Sequence, residues 1–95
     1  MLKIKESVDL KELEKFGFGY NEKYEAYIRL SDLGIQNIKT YIFLHNPNYK
    51  KYELVCESSL WYDRIFSDDR IGLLNQDLIQ AGLVEKVEEE NNETN

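Results

Sequence analysis

YIFLHNPNYKKYELVCES, residues 41–58, contains the chain's only histidine, only proline and only cysteine. Two runs rich in β-branched and aromatic residues, IKTYIFLH (38–45) and YELVCES (52–58), flank NPNYK. There Pro47 supplies the φ of a turn's second position and the asparagines tolerate turn geometry, so the stretch reads as a hairpin. Its register follows from keeping charge off the apolar face. An odd-numbered loop that pairs His45 with Lys51 sets Ile42 opposite Leu54, Leu44 opposite Tyr52 and Thr40 opposite Cys56. An even-numbered loop would set Ile42 against Glu53 and Leu44 against Lys51, so the odd register is preferred.

That register bears on chemistry. His45 and Cys56 fall on opposite faces, separated by about five residues of strand, or roughly 17 Å. A Cys/His dyad needs a hydrogen bond of about 3 Å. Cys56 is therefore assigned to the core as a small hydrophobe and His45 to an exposed strand end. A lone histidine with no second histidine or cysteine nearby makes a poor metal site.

Upstream, Asp9 precedes Glu12 at capping-box spacing. Leu10, Leu13 and Phe16 follow at helical spacing, and Gly17 suits a left-handed stop with Phe18 folding back on Leu13, which predicts a helix over 10–16. LKIK (2–5) alternates like a short strand. Tyr24, Ala26, Ile28 and Leu30 alternate with Glu25, Tyr27 and Arg29, which predicts another strand, and SDLGIQN (31–37) reads as a loop. Downstream, Ser67, Asp68 and Asp69 open a helix whose apolar face is Ile71, Leu74, Leu78 and Ala81; Gly82 closes it. LVEKV (83–87) could form a short strand, and SSLWYDRIF (58–66) fits either a helical turn or a loop.

Composition is that of one ordinary domain: 95 residues, 42% hydrophobic and 13% aromatic. One cysteine permits no internal disulfide and fits a reducing compartment. The opening MLKIKESVDL has no apolar signal region, and no stretch approaches the roughly 20 apolar residues of a membrane helix, so a cytoplasmic location is expected. The net charge of −6 is concentrated in residues 85–95, where five Glu stand against one Lys. The body carries only −2, without a basic groove for a phosphate backbone. Residues 88–95 read as a disordered acidic tail.

Catalytic motifs are absent from the sequence. Asp68 and Asp69 sit where helix starts place acids, and adjacent helix residues do not face one another, so neither they nor Asp63 make a convincing carboxylate pair. GFGY (17–20) is half a dinucleotide pattern in the wrong context, and there is no Walker loop, Gly-x-Ser-x-Gly or His-Glu-x-x-His. No catalytic residue, cofactor or metal is expected.

A surface remains. In the preferred register one sheet face collects Ala26, Ile28, Leu30, Ile42, Leu44, Leu54 and Cys56, and helices can cover it. The other collects Tyr27, Arg29, Lys39, Tyr41, Phe43, His45 and Val55, more aromatic than a wet face needs. Three readings compete. Leu60, Trp61, Ile65 and Phe66 could fold over it as a second core; a protein partner or a second copy could bind it; or Tyr27, Tyr41 and Phe43 could stack unpaired bases beside Arg29 and Lys39.

VDLKELEKFGF (8–18) and DLIQAGLVEKV (77–87) resemble the two ends of small uncharacterised proteins encoded in phages and other mobile elements of low-GC Gram-positive bacteria. The likeness implies an accessory role inside a bacterial cell, with a host protein among the candidate targets. AGLVEKV also resembles the close of a winged-helix recognition helix, but strands replace the helices that should precede it, and Arg70 would be that helix's only basic residue.

The expectation is an α+β domain over residues 1–87: helix, three-stranded antiparallel meander, helix, then the acidic tail. Its function is read as non-enzymatic binding of a protein partner or of itself through Tyr27, Arg29, Tyr41, Phe43 and Trp61. The alternative is a single-stranded nucleic-acid module on the same face, which the charge disfavours.

Overall fold

The hairpin register holds along its lower half. In the computed structural model, which describes residues 1–33, 36–58 and 66–88, Ile42 lies opposite Leu54 and Thr40 opposite Cys56. The elements run β1 (Leu2–Ile4), a 3₁₀ helix (Leu10–Phe16), β2 (Gly19–Asn21), β3 (Ala26–Leu33), β4 (Gln36–Phe43), β5 (Leu54–Ser58), α1 (Asp68–Leu74), α2 (Gln76–Gln80) and β6 (Val84–Lys86). The protein is α+β, with a four-stranded antiparallel sheet in the order β2-β3-β4-β5 and a two-stranded sheet of β1 and β6.

This corrects the expected helix, three-strand meander, helix layout. The chain opens on a strand, β2 adds a fourth strand in front of the meander, and β6 pairs with β1. Three-residue strands are too short for alternation to declare them, and β2 (GYN) follows directly on the helix stop. β1 is held on both edges: the Ile4 N–H donates to the Tyr52 carbonyl at 2.9 Å and the Lys5 N–H to the Leu83 carbonyl at 2.9 Å. A bridge between Lys3 and Glu53 completes the join between the sheets.

The top of the hairpin diverges from expectation for the same reason. Tyr52 takes a positive φ of 63° and gives its carbonyl to β1, while the Leu44 N–H donates to the Glu25 carbonyl at 3.0 Å. The His45–Lys51 pair is therefore not made. Pro47 does sit in a turn: Asn46 accepts from the Tyr49 N–H through its carbonyl at 3.2 Å and from the Asn48 N–H through its side chain at 2.9 Å.

β3 carries the second correction. Ala26 lies opposite Phe43, Tyr27 opposite Ile42 and Arg29 opposite Thr40, and pairing continues to Leu33–Gln36, so most of the expected 31–37 loop is strand. Residues directly opposite share a face. Tyr27 and Arg29 therefore join Ile42, Leu54 and Cys56 on the helix-covered face, while Ala26, Ile28 and Leu30 join Tyr41, Phe43 and Val55 on the other. Hydropathy favoured the reverse because it sent the arginine to water.

The core is built from Leu2, Ile4, Leu13, Phe18, Tyr27, Ile42, Leu54, Ile71 and Leu78, so every element from β1 to α2 except β2 contributes. Gly17 ends the 3₁₀ helix at φ 91°, and the Phe18 N–H returns to the Leu13 carbonyl at 3.2 Å. The single helix expected over 68–81 is two. Asn75 breaks it at φ −125°, ψ 34° and is itself fully buried, whereas Ala81 is exposed. Among the described residues no helix is long and apolar enough to cross a membrane. Of the expected tail, only Glu88 lies within the described residues.

Candidate functional site

The outer face of the four-stranded sheet carries a row of rings. Tyr41 and Phe43 are two apart on β4 and so project together; their rings stack with centroids 5.2 Å apart and planes at 3°. Tyr49, returning from the Pro47 turn, also stacks on Phe43 at 5.1 Å and 6°. Tyr24, from the β2–β3 turn, meets Tyr41 edge-on at 6.0 Å. The turn places it by an Asn21 side chain that accepts from the Tyr24 N–H at 3.1 Å.

Exposure divides the row into base and contact. Tyr41 is only 8% exposed, whereas Tyr24 is 48%, Tyr49 39% and Leu30, on the same face, 58% exposed. Tyr41 donates its hydroxyl to Glu57 Oε1 at 2.8 Å. Burial, then the bond and charge of Glu57, push its phenol well above the usual tyrosine range. A cleft of about 230 Å³ opens beside Tyr49, at the β5 edge, with Leu54, Val55, Phe66 and Ile71 in its lining.

The residues singled out from the sequence are thus separated. Tyr41 and Phe43 share the outer face. Tyr27 and Arg29 do not: Tyr27 is buried in the core against Tyr20, rings 5.3 Å apart, and burial, followed by the charges of Glu14 and Asp9, raises its pKa. Trp61 lies outside the described residues, as do Leu60, Ile65 and Asp63. Phe66 packs against the core cluster. Tyr24, expected to begin the strand with Ala26, Ile28 and Leu30, instead lies in the turn before β3 and with Tyr49 supplies the accessible rings; the Asx-turn signal of Asn21 and the turn around Pro47 are the cues for them.

Arg29 anchors a polar node on the inner face. Its guanidinium donates to Asp77 Oδ2 at 2.6 Å, to Asn75 Oδ1 at 2.7 Å and to the Phe16 carbonyl at 2.9 Å, and stacks 4.5 Å from the Phe18 ring centroid. Asn75 in turn donates to the Ile71 carbonyl at 3.0 Å and to Thr40 Oγ1 at 3.4 Å. Burial opposes ionisation of Asp77, but the Arg29 bonds and charge and the Leu78 N–H prevail and hold its pKa below the usual aspartate value. Cys56 lies 3.4 Å from the Thr40 hydroxyl. Burial raises its thiol pKa despite the Thr40 and Asn75 bonds and the Arg29 charge, the opposite of an activated nucleophile.

Chemically, this arrangement offers contact area. The Phe43 ring already stacks on Tyr41 and on Tyr49, which leaves less of it for a base to stack on, and the Arg29 cation is engaged by Asp77, Asn75 and the Phe16 carbonyl. Among the described residues no group of three or more His, Cys, Asp or Glu could hold a metal ion. No protein-family model, curated protein or solved structure matches the chain.

Proposed function

We propose that this protein is a non-enzymatic interaction module that binds a partner protein through the outer sheet face, with Tyr24, Phe43, Tyr49 and Leu30 as contacts and Tyr41 as their rigid support. The carrying observation is the stacked ring row with partly exposed tyrosines at both ends. Tyrosine gives large contact area at low entropic cost, and rings held by stacking lose little further freedom on binding. The cleft beside Tyr49 suits an aliphatic side chain from the partner. The same proposal keeps the expectation, drawn from VDLKELEKFGF (8–18) and DLIQAGLVEKV (77–87) alone, of an accessory role in a bacterial cytoplasm.

The test is capture from a bacterial lysate with wild type and Tyr24→Ala/Tyr49→Ala as baits, followed by mapping of the captured protein's footprint by amide shifts. A protein retained by wild type alone, with shifts centred on β3 and β4, supports the reading. Equal recovery by both baits overturns it. Sedimentation over a range of concentrations identifies the case in which the partner is a second copy.

A further inference from the structure

Alternate backbone groups of β6 turn away from β1. The Lys5 N–H donates to the Leu83 carbonyl and the Val87 N–H to the Met1 carbonyl, at 2.9 and 2.7 Å, in the register Leu2–Lys86, Lys3–Glu85, Ile4–Val84. In an antiparallel ladder of this phase residues 83, 85 and 87 bond to β1, and the N–H and C=O of Val84 and Lys86 point out of the sheet. Among the described residues no hydrogen bond reaches those four groups. The edge is independent of the aromatic face.

A groove of about 310 Å³ adjoins this strand, its lining combining Leu2, Gly72, Leu73 and Ile79 with polar residues that include Asp69 and Lys86. Leu73 is 73% exposed and Ile79 41%. Gly72 has neither a positive φ nor a steric need to be glycine, since a Cβ there would meet Ile79 Cδ1 at 3.5 Å and Leu2 Cδ1 at 3.7 Å, ordinary contacts. Within a helix glycine costs about 1 kcal/mol relative to alanine.

We propose that the β6 edge and this groove take up an extended segment of another protein as an added strand. The open backbone groups require an extended ligand. Residues opposite Val84 and Lys86 face the groove and are apolar; the residue between them faces Glu85 on the other side and is Lys or Arg. A second copy paired about Glu85 would set that residue against its own equivalent, a destabilising like-charge pair, in a chain of net charge −6; a copy paired about Val84 avoids that clash but leaves Glu85 without the basic partner that a Lys or Arg of another protein supplies.

The probe is the blocked peptide acetyl-Thr-Leu-Lys-Leu-Thr-amide, titrated to millimolar concentration into the ¹⁵N-labelled full chain. The Val84 and Lys86 amide signals shift and their hydrogen exchange slows. N-methylation of both leucines, whose amides face β6, or replacement of the lysine by glutamate, weakens binding by about tenfold or more. Val84→Pro removes an N–H that the fold does not use and weakens binding to the same degree; Leu73→Lys, on an exposed site, does so should the proline variant fail to fold. Unmoved Val84 and Lys86 signals, or equal binding of the N-methylated peptide, overturn the proposal. So does self-association that Val84→Pro abolishes.

Discussion

The Arg29 guanidinium meets the Asp77 carboxylate twice, at 2.6 Å to Oδ2 and 3.2 Å to Oδ1, and so ties the middle of β3 to the start of α2. The same guanidinium caps the buried Asn75 side chain, whose residue breaks the helix. Removing it leaves Asn75 Oδ1 without its donor. Arg29→Met should therefore cost about 2–3 kcal/mol in urea unfolding, more than an exposed ion pair could explain. Loss below about 0.5 kcal/mol would mean the node contributes no net stability.

Acid should weaken the same tie. The folded pKa of Asp77 lies below its ordinary value, so its contribution is fully present above the unfolded value of about 3.9 and is lost as pH falls through the folded one. Thermal melts from about pH 6 to pH 2 should show Asp77→Asn losing less stability on acidification than wild type. Parallel curves for the two proteins would contradict this.

Alkali should act on Tyr41. Its phenol pKa is raised on folding, so stability is unaffected below the unfolded value of about 10 and falls as pH rises above it. In absorbance titration at 295 nm, Tyr41→Phe should leave the folded-state curve unchanged up to about pH 11, because the residue does not ionise there in wild type. A lost titrating tyrosine in the variant would show that Tyr41 is open to solvent.

Two glycines should respond in opposite directions to alanine. Gly17 stands at φ 91°, where a Cβ is strained, and Gly17→Ala should destabilise by about 1 kcal/mol. Gly72 lies in α1 with room for a methyl group, and Gly72→Ala should stabilise by up to about 1 kcal/mol. Chemical denaturation of the two variants decides both.

The hairpin pairing of Ile42 with Leu54 and the stop at Gly17 were legible because each rests on local chemistry: apolar segregation in one case, left-handed backbone in the other. The parity of β3 was not. Both of its rows contain rings or aliphatics, and the outcome turned on Arg29 finding acceptors on Phe16, Asn75 and Asp77, at 13 to 48 residues' distance in sequence. The break at Asn75 has the same origin, since Ile71 and Leu78 keep one helical stripe across it while its side chain serves Thr40 on β4. For the candidate site, Tyr41 and Phe43 followed from strand alternation; alternation grouped Tyr24 with Ala26, Ile28 and Leu30 but sent the row to the wrong face, and Tyr49 reaches the site from a turn whose path no periodicity describes.

The pairing of β1 with β6 has a kinetic consequence. Leu2 and Lys86 are neighbours in space yet far apart in sequence, so this clasp cannot close until residues 84–87 have left the ribosome. Contacts of such long sequence separation slow the search for the native state. Until then Leu2 and Ile4 lack a strand partner on that side, and a nascent chain halted before Val84 would present them to chaperones.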